Sequence, residues 1–295
     1  MNGGGGGVLT RDNQFNGIFY PKYPQEIIDT IKRFFYQIEI SPKDKERLDI
    51  LAKSIKDKRI LTFIVPHGSY FYSGYISSFV YYLISLTECN NFIIISPDHN
   101  GTSPGVSIMD KGCWRTPLGS IGIDENLGIE LLNNNFNNLI SVDPFSLTID
   151  HAIETQLPFL QYIKRNGFKF MPILQRKQDK YTSIKLAEIL YSSLPKGESV
   201  ILIVTSNFSH YLGYDECYKK DHNLISDVLS LNIDSFYKTF EDDLMTVCGF
   251  GCIASAMELS KKTRNLDVVL LKYLTSGDID GNKSSVVGYS SLLML

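Results

Sequence analysis

Three of the five histidines stand where a predicted buried strand ends. His67 follows the apolar run 60–65, His99 follows the run 92–95, and His210 follows the run 200–205. In open α/β sheets ligands bind at the carboxyl edge of the strands, so we expect these three imidazoles to lie at that edge. Imidazole is the commonest metal ligand and the usual general base near neutral pH. The placement predicts a metal site or an acid–base site at one edge of a sheet.

Two further segments carry groups that suit such a site. His151 and Glu154 are three residues apart at the start of a predicted helix, which puts both on one helix face. Cys248 lies beside two glycines, where the backbone permits close approach of a ligand. For this thiol, packing, metal binding and nucleophilic catalysis all stay open. His222 lies among lysines and an aspartate, which is typical of a solvated surface.

The elements that must position these groups alternate between helix and strand along the chain. The predicted strands are apolar on both faces, a pattern typical of an α/β protein with a mostly parallel central sheet flanked by helices. Helices are predicted at 24–38, 73–88, 151–165, 182–194 and 249–262, and the final strands at 268–274 and 286–293. Because the chain has neither an internal repeat nor a linker, residues 15–295 are predicted to form a single domain. Residues 1–14, with five consecutive glycines, are predicted to be a disordered leader.

Composition narrows the class of protein. Of the 295 residues 43% are apolar and 21% charged, which supports a large core and argues against a disordered or fibrous chain. The net charge of −3 gives no broad basic surface for nucleic acid. Five cysteines are too few, and odd in number, for a disulfide scaffold, so a reducing compartment, the cytoplasm, is expected. The uncharged stretch 68–87 carries five serines and five tyrosines, which favours a buried helix over a membrane span.

The order and spacing of short motifs from residue 16 to residue 295 resemble those of the MEMO family. The matching segments are 16–21 (NGIFYP), 65–70 (VPHGSY), 96–99 (SPDH), 114–119 (WRTPLG), 150–154 (DHAIE), 205–210 (TSNFSH), 247–249 (VCG), 275–278 (TSGD) and 286–289 (VVGY). The resemblance implies a fold like that of the class III extradiol dioxygenases, which use non-haem iron. It also implies a metal pocket formed by His67, His99 and Cys248. The remaining pocket residues would be His151, Glu154, Asn207 and His210.

For function, the resemblance implies one bound copper or iron ion with redox activity, or non-enzymatic binding of phosphotyrosine-bearing peptides. Two departures bear on this choice. Asn207 stands where the family has Asp, so His210 is expected to be a weaker base. Phe15 and Asn16 precede Gly17, where the family usually has a His. Cys248 replaces the carboxylate ligand of the dioxygenases, and a thiolate favours softer metals such as Cu(I).

Three hypotheses follow from the sequence. The first is a cytoplasmic protein that holds one copper or iron ion and performs redox chemistry with oxygen species, His210, His151 and Glu154 relaying protons. The second is a non-haem iron dioxygenase acting on a small aromatic substrate, with His210 as the base. The third is a binding module for a phosphopeptide or small ligand, in which Trp114 and Arg115 take part in recognition. A packed aromatic and a surface ion pair are the plainer interpretation of those last two residues.

Overall fold

The computed structural model describes residues 9–242 and 245–295, and strands and helices alternate along both ranges. The strands are β1 (Thr10–Arg11), β2 (Ile60–Val65), β3 (Asn91–Pro97), β4 (Val106–Ile108), β5 (Cys113–Thr116), β6 (Gly119–Ile123), β7 (Ile140–Val142), β8 (Lys169–Gln175), β9 (Val200–Thr205), β10 (His210–Leu212), β11 (Val268–Thr275) and β12 (Val286–Met294). The helices are α1 (Pro24–Glu39), α2 (Pro42–Ile55), α3 (Tyr70–Ser85), α4 (Glu125–Asn133), α5 (Pro144–Thr148), α6 (Leu157–Ile163), α7 (Lys180–Ser193), α8 (Tyr214–Leu229), α9 (Ile233–Asp242), α10 (Phe250–Thr263) and α11 (Ser276–Asp280).

The strands form one large mixed sheet in the order β1-β5-β6-β8-β3-β9-β2-β12-β10. Its centre, β8-β3-β9-β2, is parallel. In contrast, β12 runs antiparallel to β2, β10 and β11, β5 pairs antiparallel with β6, and β4 pairs antiparallel with β8. The α/β class is therefore confirmed, but the prediction of a mostly parallel sheet is wrong.

The lengths of two connections explain two of these antiparallel pairs, β11 with β12 and β5 with β6. A parallel pair needs a crossover of a dozen or more residues. Residues 276–285 separate β11 from β12, and Pro117 and Leu118 alone separate β5 from β6. Such short connections return the chain antiparallel to the strand it has just left. The apolar runs predicted the final strands themselves, but hydrophobicity carries no information about their direction.

Helices cover the centre of the sheet. All six residues of β9 are buried, as expected for a strand covered on both faces. The helix α3 packs against β2, β11 and β12, and α10 packs against β2, β3 and β9. The predicted uncharged helix is α3; a Cβ on its Gly74 would lie 2.3 Å from Phe34 Cε2, so the glycine allows α1 to approach closely. In the described ranges, each helix falls short of the length or the apolar character needed to cross a bilayer.

Two segments near the site differ from the sequence expectations. The leader was expected to extend to residue 14, but Thr10 and Arg11 form β1 beside β5, and Arg11 is buried. Residues 1–8 of that leader lie outside the described part. The predicted helix 151–165 is a 3₁₀ turn, Glu154–Gln156, followed by α6, which carries Pro158 in its first turn. Proline is tolerated there because the first amides of a helix lack intrahelical acceptors.

Candidate functional site

Three histidines converge at the carboxyl edge of the central strands. His67 and His99 lie just beyond β2 and β3, and His151 reaches the same point from the turn before α6. One ring nitrogen from each lies within 4.8 Å of the other two. Two nitrogen ligands each about 2.1 Å from one ion can be at most about 4.2 Å apart, so a small adjustment brings all three into reach of a single ion. His67 is buried, and His151 is half-buried.

Cys248 adds a sulfur donor to the histidine cluster. Its Sγ lies 3.2 Å from Nε2 of His67, and it accepts a hydrogen bond from the backbone N–H of Asn207 at 3.2 Å. Cys248 as a whole is half-buried. Position 249 must be glycine for this arrangement, because a Cβ there would lie 2.8 Å from the carbonyl oxygen of Thr205. The donor set of imidazoles and a thiol suits a transition metal.

Hydrogen bonds to Nδ1 orient two of the rings. Nδ1 of His67 lies 2.7 Å from Thr205 Oγ1, and Nδ1 of His99 lies 3.0 Å from Oδ2 of Asp150. The same carboxylate oxygen accepts from the backbone N–H of His99 at 3.0 Å. Each Nε2 is thereby left to face the cluster, which is the usual arrangement around metal-ligating histidines. Sequence analysis did not single out Asp150; its position directly before His151 was the available signal.

The pKa values follow from burial and from this network. Burial and the neighbouring imidazoles lower the pKa of His67 well below 6.5. Burial, together with the charge of His99, lowers the pKa of His151 to about 4. Burial also acts against protonation of His99, but hydrogen bonds to Asp150 and Cys248 outweigh it and raise the pKa of His99 to about 10. Two of the rings are therefore neutral at pH 7, the form that binds metal, whereas His99 is protonated in the metal-free protein and must release that proton to bind an ion.

Near the cluster lie His210 and Asn207. They do not hydrogen-bond each other, and each has a different hydrogen-bond partner. Nδ1 of His210 lies 2.7 Å from the carbonyl oxygen of Thr246, and burial lowers the pKa of this histidine. The side-chain Oδ1 of Asn207 accepts from the backbone N–H of His67 at 3.0 Å. Asn207 thus braces the loop that carries His67. The third histidine of the tight cluster is His151, which follows no strand and was not among the three expected from strand ends.

Glu154 lies apart from the histidines, although it is only three residues beyond His151. It is fully buried and pairs with the guanidinium of Arg11, which also lies 4.1 Å from the Trp114 ring. It accepts hydrogen bonds from the hydroxyl of Tyr20 at 2.7 Å and from the backbone N–H of Phe15 at 3.0 Å. These partners all belong to the N-terminal segment or its neighbours, so Glu154 acts as an anchor there.

The aromatic and basic residues considered for ligand recognition have other partners. Trp114 is fully buried, and its Nε1 donates to the sulfur of Met109 at 3.2 Å. Arg115 is exposed and forms an ion pair with Asp12 at 3.2 Å. These contacts match the plainer interpretation, a packed aromatic and a surface ion pair. Phe19, which sequence analysis did not single out, stacks on His151 with ring centroids 4.2 Å apart.

Comparisons with known proteins show which family the chain resembles. The chain matches the family model described as Memo-like protein over residues 11–293. It is 35% identical over 277 residues to a MEMO1 family protein of Thermoplasma volcanium, covering 94% of this chain and 95% of that relative. It is 33% identical over 278 residues to a MEMO1 family protein of Sulfolobus acidocaldarius, covering 94% and 96%.

A solved structure of an uncharacterized protein from Escherichia coli K12 resembles this chain with a TM-score of 0.53 at 9% identity, covering 80% of this chain and 100% of that one. At such low identity the likeness concerns the fold alone. The family match, in contrast, includes every histidine of the cluster and Cys248. The chain therefore belongs to the Memo family.

Proposed function

We propose that this chain binds one copper or iron ion through His67, His99 and Cys248 and uses it in redox chemistry with O₂ or a reduced oxygen species. The observation that carries the proposal is the convergence of three imidazole nitrogens and one thiol at a solvent-reached edge of the sheet. Imidazole suits copper and iron, and a thiolate favours Cu(I). When bound, such an ion supplies one-electron exchange with oxygen species.

In this proposal the protein's own groups orient the ligands, stabilise the thiolate and handle a proton. Thr205 and Asp150 hold the rings of His67 and His99 by Nδ1, which leaves each Nε2 available to hold an ion. The backbone N–H of Asn207 stabilises negative charge on the sulfur of Cys248. His151 completes the donor set, and His210, which is half-buried, holds or moves a proton. Ring cleavage of an aromatic substrate has less support, because a thiol stands where the dioxygenases use a carboxylate.

Metal analysis of the purified protein tests the proposal. Protein prepared without added metal or chelator should contain about one copper or iron per chain by plasma mass spectrometry, and the double variant His67→Ala/Cys248→Ser should contain none. Cys89→Ser is the matched control, because Cys89 lies beyond α3 and its thiol donates to the carbonyl of Asn91. Absence of metal in both proteins, with copper and iron failing to bind on titration, would overturn the proposal.

A second candidate function is a binding module without chemistry. It is favoured by a groove of about 790 Å³ beside Phe19, walled by Tyr70 and Phe71 and carrying Lys22 and Arg33. Such walls suit a ligand with an apolar body and an anionic group, for example a phosphopeptide. Titration of a phosphotyrosine peptide into metal-free and metal-loaded protein separates the two. Binding of equal affinity in both states favours the module, and no binding in either state eliminates it.

We also propose a cytoplasmic location. All five cysteines are free, and Cys113 and Cys248 are only half-buried. Such thiols persist in reducing compartments.

A further inference from the structure

The N-terminal strap, residues 11–20, crosses the candidate site and is fixed by a buried ion pair. The guanidinium of Arg11 and the carboxylate of Glu154 are both almost completely buried. The carboxylate also accepts from the hydroxyl of Tyr20 and from the backbone N–H groups of Gln14 and Phe15. One carboxylate therefore holds both ends of the strap.

The same guanidinium contacts the backbone that carries the cluster. Nη2 of Arg11 donates to the carbonyl oxygen of Asp150 at 3.0 Å, and Nε donates to the carbonyl oxygen of Leu147 at 3.3 Å. The carbonyl of Asp150 belongs to the peptide that links it to His151. Because Asp150 also hydrogen-bonds the ring of His99, Arg11 fixes the backbone from which two of the three histidines are oriented.

The strap also places aromatic rings on His151. Phe19 is stacked on that imidazole at 4.2 Å with an interplanar angle of 23°, and Phe15 meets it edge-on at 5.8 Å. The carbonyl of Phe19 in turn accepts from the backbone N–H of Tyr70 at 2.7 Å, which ties the strap to the start of α3. A stacked ring restricts rotation of the imidazole about its Cβ–Cγ bond and so fixes the direction of its nitrogens.

We propose that Arg11, Glu154 and Phe19 are positioning residues of the candidate metal site. Arg11 and Glu154 fix the peptide between Asp150 and His151 and anchor the strap, and Phe19 holds the His151 ring in the direction that faces His67 and His99. The metal-binding test of this inference rests on the proposed function. Under this inference Glu154 anchors the strap and does not relay protons.

Co²⁺ binding tests the inference, because cobalt absorption bands report the geometry of the ligands as well as the affinity. Phe19→Leu removes the stacked ring but leaves the ion pair intact, and it should weaken Co²⁺ binding about tenfold and shift the absorption bands. Phe19→Tyr keeps the ring and should restore both. Phe136→Leu is the matched control, since Phe136 is an exposed aromatic that follows α4.

A second set of variants tests the anchor. Glu154→Gln should weaken Co²⁺ binding about 10- to 100-fold. If this variant fails to fold, the double variant Arg11→Met/Glu154→Leu replaces the buried pair by apolar groups, which often restores stability. That double variant should fold and still bind Co²⁺ weakly, because the hydrogen bond to the carbonyl of Asp150 is missing. If the pair of Arg11 and Glu154 only stabilises the fold, Co²⁺ affinity should recover together with stability in the double variant.

A metal-free measurement separates this inference from the proposed function. In ¹⁵N-edited NMR spectra without metal, the His151 ring signals should change their tautomer ratio or broaden in Phe19→Leu, and should match wild type in Phe136→Leu. If the wild-type protein binds no metal, the proposed function fails and these spectra alone decide the inference. Folded Phe19→Leu and Glu154→Gln with wild-type Co²⁺ affinity, bands and His151 signals would overturn it.

Discussion

At the scale of single residues, the candidate site depends on carboxylates that act through other groups. Asp150 orients His99, and Glu154 anchors the strap over His151. Asp221 is a third buried carboxylate near the site. Its Oδ1 accepts from the backbone N–H of Ser209, next to His210, and its Oδ2 accepts from the hydroxyl of Tyr273 at 2.7 Å. Burial raises the pKa of Asp221 above 3.8, although both hydrogen bonds act against this.

The raised pKa of Asp221 predicts a pH-dependent effect of Asp221→Asn on the free energy of unfolding. A carboxyl whose folded pKa is raised destabilises the native state where it is ionised, at pH above that pKa. Asp221→Asn should therefore be more stable than wild type at pH 8. This advantage should shrink as the pH falls towards 4, because the wild-type carboxyl becomes neutral. Urea unfolding of metal-free protein across this range measures it.

Asp234→Asn is the control with the opposite sign. Lys180 lowers the pKa of Asp234, so this exposed carboxylate contributes stability above pH 3.8 that is lost as the pH falls through its folded pKa. The Asn variant at 234 should be less stable than wild type at neutral pH. A stability difference for Asp221→Asn that is the same at pH 8 and at pH 4 would contradict the assignment of a raised pKa.

At the scale of elements, the parts of the site that follow long apolar strands could be predicted from the sequence. His67 and His99 follow β2 and β3, whose apolar runs and terminal prolines mark their ends. His151 could not be placed in this way, because it comes from a turn whose position depends on Arg11 and on contacts distant in sequence. The strands β4, β5, β6 and β7 have three to five residues each, too few for periodicity to identify them.

The start of α10 is the element that places the thiol, and Gly249 is its N-cap residue. A Cβ at this position would meet both the carbonyl oxygen of Thr205 and Cβ of Ser206 at 2.8 Å. Gly249→Ala should therefore displace Cys248 from His67, lower the free energy of unfolding by about 1–3 kcal/mol, and weaken metal binding about tenfold. Chemical denaturation and metal titration measure the two effects.

Gly213 supplies the matched control for Gly249. It is the N-cap residue of α8, and a Cβ built there meets no atom within 4 Å. Gly213→Ala should leave metal affinity at the wild-type value. Equal metal affinities for Gly249→Ala, Gly213→Ala and wild type would show that the close approach to Thr205 does not determine where the thiol lies.

At the scale of the whole molecule, the candidate ligands join distant parts of the chain. His67 and Cys248 are 181 residues apart in sequence, yet their side chains touch. The sheet places β2 beside β9, the loop after β9 contacts Cys248, and the start of α10 holds the thiol there. The ligand set therefore exists in the folded protein and is dispersed in the unfolded chain.

Because the ligands lie far apart in the unfolded chain, a metal ion that binds them should stabilise the folded protein. A metal ion at 100 times its dissociation constant should add about 2.7 kcal/mol to the free energy of unfolding. That corresponds to a rise of roughly 5 °C in the melting temperature of a chain this long. Scanning fluorimetry with and without the metal found in the purified protein measures the rise. An equal rise in His67→Ala/Cys248→Ser would place the stabilising ion elsewhere.

The distance in sequence between His67 and Cys248 also sets an order of events during biosynthesis. A nascent chain that has passed β2 and β3 carries two of the donors but lacks the thiol, which is translated much later. An ion bound by the complete set can be loaded only after most of the sheet has assembled. Metal delivery would then follow folding, and the metal-loaded fraction in a cell could not exceed the folded fraction.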